Sequence, residues 1–186
     1  MLRPLRSEYL ANSRDGINAD AAKIVVLTVV VPSIVRLLSM PLFGMVFDRL
    51  SFFSSRILVN LLFALYVGAF FTGTSDNSLI VGSVLLGIGS AGGDLMWSLW
   101  VTKFAPAGRT ADYMGLHTFF TGIRAVLAPI AGFAILGHVP LGTVALMSAG
   151  LMLAASFVLV PEMRAERNAR ALRASELQPT TLPGGS

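Results

Sequence analysis

Pro41-Leu-Phe-Gly44-Met-Val-Phe-Asp48-Arg49 decides how this chain folds. An apolar run that starts at Ile24 ends inside it, closed by a glycine and then an Asp-Arg pair. A second apolar run opens at Ile57, and the charges between the two runs are Asp48, Arg49 and Arg56. Apolar runs joined by a short basic turn read as a helix that crosses a bilayer and returns. Every other turn in the chain has to agree with the side of the membrane this one occupies.

Composition agrees. The chain has 186 residues, 54% of them hydrophobic and 13% charged, with a mean hydropathy of +0.73. A soluble core of that size needs a polar shell, and this chain has too few charges to build one. Between Arg56 and Lys103 the charged residues are Asp76 and Asp94 alone. The expectation is an integral membrane protein in contact with the lipid bilayer. The absence of cysteine removes disulfides, thiolate metal sites and cysteine nucleophiles. His117 and His138 are too few and too far apart for a metal site, so no metal or cofactor is expected. The net charge of +4 sits in loops and a tail, where it reads as a topology signal rather than a nucleic-acid surface.

Five spans are predicted, about 24–47, 57–73, 79–101, 113–136 and 141–160. Crossing a core of about 30 Å takes roughly 20 residues. The segment 1–23 is polar, with Arg3, Arg6, Arg14 and Lys23 against Glu8, Asp15 and Asp20. No apolar core follows the early arginines at the spacing of a cleaved leader. In the third span Gly89 and Gly93 form a Gly-x-x-x-Gly step, which lets backbones approach closely in lipid. Gly142, Ala145, Ala149 and Ser156 make a small-residue stripe on the fifth. In the basic tail 161–186, Arg164, Arg167, Arg170 and Arg173 fit a short helix on a lipid surface, followed by a disordered end from Gln178.

Alternation assigns the sides. The loops 47–56 and 102–112 and the tail share one side and hold Arg49, Arg56, Lys103, Arg109, Arg164, Arg167, Arg170 and Arg173. The opposite loops, 74–78 and 137–140, hold no Lys or Arg. The basic side is therefore cytoplasmic, and the expected location is a bacterial cytoplasmic (inner) membrane. The basic segment before Ile24 falls on the other side, which together with an odd number of spans points to an absent preceding helix.

An internal echo supports a repeated architecture. Arg36-x-x-x-x-Pro41-x-x-Gly44 recurs as Arg124-x-x-x-x-Pro129-x-x-Gly132, three spans later and in a helix of opposite direction. Chance alone gives that match after a chosen arginine about once in two hundred. Inverted repeats of three helices are a plan that secondary transporters use.

At these residues the sequence resembles the major facilitator superfamily. Gly44-Met-Val-Phe-Asp48-Arg49 is similar to that family's loop signature, Gly-x-x-x-Asp-Arg-x-Gly-x-Arg-Arg, and the span holding Arg124, Pro129 and Gly132 is similar to its penultimate helix. The second glycine of the signature is Ser51 here, and its paired bases reduce to Arg56. The resemblance implies an all-α polytopic bundle whose five spans are helices eight to twelve of twelve, part of one six-helix half. It implies a small-molecule substrate moved by alternating access, and a latch of Gly44, Asp48 and Arg49. In that latch Asp48 reaches the start of the fourth span, near Tyr113, in one transport state only; read alone, the residues also allow a permanent cap there. The partners implied are the missing helices or further copies of this chain, and a partial chain of this kind is expected to be inactive alone.

The residues that carry chemistry are Arg36, Asp94 and Arg124. A charge at mid-bilayer costs about 2.5–3.5 kcal/mol on insertion scales, so it is kept only with a partner or a wet cavity. Ser83, Gly87, Ser90, Ala91, Asp94 and Ser98 share one helical stripe, as do His117, Thr121 and Arg124. The functional reading gives the arginines to an anionic or hydrogen-bonding substrate and Asp94 to proton coupling or an ion pair. The structural reading is an Asp94–Arg124 pair that pins two helices. Trp97, Trp100 and Tyr113 read as interfacial anchors before substrate-stacking groups, with Trp97 kept as a candidate site residue. His117 is a candidate proton relay. A non-transporting membrane scaffold is the competing function. An enzyme is not expected, because no paired carboxylates, Ser-His pair or phosphate loop occur.

Overall fold

The computed structural model describes residues 2–11, 17–73, 75–136 and 138–176. Its elements are helices throughout: α1 (Leu2–Ala11), α2 (Ala21–Val25), α3 (Val31–Arg49), α4 (Phe52–Thr72), α5 (Asp76–Phe104), α6 (Thr110–Leu136) and α7 (Leu141–Glu176). A π turn, Val26–Val30, joins α2 to α3, so that Ala21–Arg49 is one rod. Among the described residues five helices are long and apolar enough to cross a membrane, and the fold is an all-α polytopic bundle. The starts are capped by side chains that accept backbone N–H groups three residues on: Asp20 from Lys23, Ser51 from Ser54, Ser75 from Ser78. Ser51 thus replaces the glycine of the loop signature with a helix cap, and the turn from α3 to α4 shortens to Leu50 and Ser51.

The packing centre is α5, which lies between α3 and α4, with α7 on the far side of α4. Along α3 and α5 the contacts advance together. Lys23 meets Asp76, the Leu27 carbonyl meets Ser83, Val35 meets Gly87 and Arg36 meets Asp94. The two helices are therefore parallel, as alternate spans must be. The glycines responsible are not the predicted pair. A Cβ at Gly89 or Gly93 would sit at ordinary contact distance, 3.5 or 3.6 Å, from Phe63. At Gly82 it would come within 2.8 Å of the Phe70 Cβ and 3.0 Å of its backbone, and at Gly87 within 2.8 Å of the Pro32 carbonyl. Gly82 sets the approach of α5 to α4, and Gly87 its approach to α3.

Two apolar clusters occupy opposite ends. One gathers Phe43, Val59, Ala91 and Met96 near the α3–α4 turn. The other joins Tyr66, Phe70, Phe71, Leu79, Leu141 and Ala145 with Leu5, Tyr9 and Leu10 of α1. The polar leader therefore contains an amphipathic helix that closes one end of the bundle. Tyr9 rests on Phe71, ring centroids 5.3 Å apart, and its hydroxyl donates to the Gly73 carbonyl at 3.4 Å. Burial raises its phenol above the ordinary tyrosine range. Of the small-residue stripe on α7, Ala145 is fully buried here. The helix that holds the fifth span does not stop at Pro161. The proline lies inside α7, and the helix continues through Arg164 and Arg167. The expected disordered end from Gln178, and the side chains of Arg170 and Arg173, lie outside the described residues.

Candidate functional site

The mid-span charges are brought together by α3 and α5. Arg36 and Asp94 form an ion pair, Nε to Oδ2, at 2.7 Å. The N–H is turned off the line to the oxygen, so Oδ2 accepts no aligned hydrogen bond. The pair is open on one side, with the side chains 46% and 39% exposed. Asp94 therefore pairs with Arg36 and not with Arg124. The reason is packing: α3 lies along α5 for much of its length, whereas α6 touches its neighbours at few points. Arg124 stands exposed at the middle of α6.

The polar stripe on α5 divides at this pair. Ser83, Ser90 and Ala91 are buried against neighbouring helices, and Ser83 donates to the Leu27 and Leu79 carbonyls. Asp94 and Ser98 lie on the open side, the Ser98 hydroxyl donating to the Leu95 carbonyl at 2.9 Å. The part that can meet a solute begins at Asp94.

One turn further along, Trp97 and Trp100 close on His117 of α6, with ring centroids 5.2 and 4.8 Å from the imidazole. The Trp100 Nε1 and His117 Nε2 atoms are shielded from solvent and have no hydrogen-bond partner among the described residues. The imidazole packs against both indoles as an aromatic group. The indoles thus make inter-helix contacts. Their association has a sequence signal: they end the third span, and His117 begins the fourth beyond a short loop.

The signature residues lie at the turn end of α3. Gly44 has open space where a Cβ would stand, so no close contact requires glycine there. Asp48 and Arg49 are exposed. The contact from Asp48 to the start of α6 is not made in this structure. That start is held locally, with Arg109 paired to Asp112 at 3.2 Å and the Tyr113 N–H bonded to the Arg109 carbonyl. A groove of about 480 Å³ runs along α6, lined by Thr118, Phe119, Gly122, Ile123, Val126 and Leu127. Its lining is a single helix face with one hydroxyl, which suits lipid or another helix better than a polar solute.

A family model described as Major Facilitator Superfamily matches residues 10–182. Comparison with curated proteins found no match. Comparison with solved structures found none either.

Proposed function

From membership of the major facilitator superfamily, to which this chain belongs, we propose that Arg36 and Asp94 form the centre at which a small solute is bound and its passage coupled to protons. The family makes the chain part of a membrane transporter. The observation that carries the finer reading is the half-open ion pair at mid-span. An anionic or hydrogen-bonding solute competes with Asp94 for Arg36. Protonation of Asp94 releases the arginine for that solute, and loss of the proton recloses the pair. Alternation of the two conditions gives alternating access its chemical step, with Trp97 and His117 as the neighbouring wall and Arg124 as a second cation.

The five spans work with additional helices, either another chain or further copies of this one. The exposed charges of the pair and the sparsely packed α6 support that reading, since charge at this depth needs a protein or aqueous surround. The chain sits in a cytoplasmic membrane with the turn between α3 and α4 and the end of α7 inside. Trp97 and Trp100 are the chain's two tryptophans, so intrinsic fluorescence reads occupancy of the site. In lipid nanodiscs a panel of acids, sugars and amphipathic drugs is expected to include a solute that changes the emission saturably. Arg36→Gln is expected to weaken that response about tenfold or more, the scale of one lost charge-assisted bond, and Asp94→Asn, which frees Arg36 as protonation does, is expected to strengthen it. A saturable response unchanged in both Asp94→Asn and Arg36→Gln would sink the assignment. In proteoliposomes under a proton gradient the chain alone is expected to give no saturable uptake. Uptake abolished by Asp94→Asn would instead mean that copies of this chain build the whole pathway.

A further inference from the structure

The π turn in the first span orphans one carbonyl, and a residue of another helix satisfies it. In the turn Val26–Val30 the Val31 N–H bonds five residues back, to the Val26 carbonyl. An α-helix would have given that N–H to Leu27. The next donor in line for Leu27 is residue 32, a proline with no N–H. The Leu27 carbonyl is left without a backbone partner, in a part of the span where Leu27 is buried. The Ser83 hydroxyl of α5 lies 2.8 Å from that oxygen and is fully buried.

The turn has a geometric consequence downstream. A π turn takes one more residue than an α turn to close. Each residue advances an α-helix by about 100°, so the extra residue rotates all that follows by about that angle. Arg36 follows it and meets Asp94. Without the extra residue Arg36 would point about a quarter-turn away. We propose that Ser83 is a positioning residue, whose bond to the Leu27 carbonyl holds the π turn and so aims Arg36 at Asp94. The same hydroxyl is 2.8 Å from the Leu79 carbonyl of its own helix. Its single proton is shared between the two, so Ser83 keeps a bond when α3 and α5 separate, and the rotation of α3 can be released at small cost.

This inference deepens the reading of Arg36 and Asp94 as the working centre and takes its importance for transport from it. The test reads the pair itself, so either reading can fail while the other stands. The full chain is labelled with 15N-arginine in lipid nanodiscs. The Nε–Hε resonance of Arg36 is assigned by its loss in Arg36→Lys, and its displacement in Asp94→Asn calibrates the broken pair. In Ser83→Ala the resonance is expected to move to the Asp94→Asn position, with helical circular dichroism unchanged. In Ser83→Thr, which keeps the hydroxyl, it is expected to stay. An unmoved resonance in Ser83→Ala overturns the proposal. So does a shift in both variants, or one accompanied by loss of helix, which would make Ser83 a folding residue only.

Discussion

At the scale of the residue, the consequence of the ion pair is that its members depend on each other. Removing one leaves the other as an uncompensated charge in the span, whereas removing both leaves none. Arg36→Ala and Asp94→Ala are each expected to lower the melting temperature in detergent, and the double variant to recover most of the loss. A coupling energy of about 0.5–3 kcal/mol is the usual size for such contacts; additive losses would mean that the 2.7 Å approach stabilises nothing. Tyr9 gives a pH-dependent counterpart outside the spans. Burial raises its phenol in the folded chain, so the fold favours the neutral form. That contribution is complete below the unfolded value of about 10 and is lost as pH rises through the folded value. Tyr9→Phe keeps the ring on Phe71 and removes the titration. It is expected to hold α1 in place to higher pH than the wild type, followed by protection of α1 amides from hydrogen exchange; identical alkaline transitions would refute this. Arg36 and Asp94 were legible as charges in need of a partner because an intramembrane charge is rare enough to stand out. Their pairing was not, since it depends on a rotation that no apolar period records.

At the scale of the element, the spans follow from the sequence because a bilayer allows few alternatives to a helix of the right length. The contacts between them do not, because lipid and neighbouring helices are equally apolar and periodicity does not name a partner. Gly89 and Gly93 carry the recognised spacing, yet Gly82 and Gly87 make the close approaches. Leu5, Tyr9 and Leu10 had a helical spacing that the surrounding charges outweighed. Gly82→Ala is expected to destabilise the α4–α5 contact by about 1–3 kcal/mol, the cost of overpacking. Gly44→Ala, with nothing within 4 Å of its Cβ, is expected to be neutral or to gain up to about 1 kcal/mol in helix propensity. Equal thermal stability of the two variants would show that the glycine contact is slack.

At the scale of the whole molecule, orientation is the property to test, and the lack of native cysteine makes it accessible. A cysteine placed at Asn77, at the start of α5, is expected to react with an impermeant maleimide only from outside the cell. Reaction from the cytoplasmic side would invert the molecule and move the α3–α4 turn outside. The 36 residues of α7 extend about 54 Å at 1.5 Å each, against a hydrocarbon core of about 30 Å. Standing upright, the helix would project about 24 Å into water, and tilting the bundle by about 10° would sweep its tip some 4 Å sideways. The helix is in effect a pointer fixed to the bundle, and a fluorophore at its aqueous end would display any rocking of the buried spans as a displacement in solution.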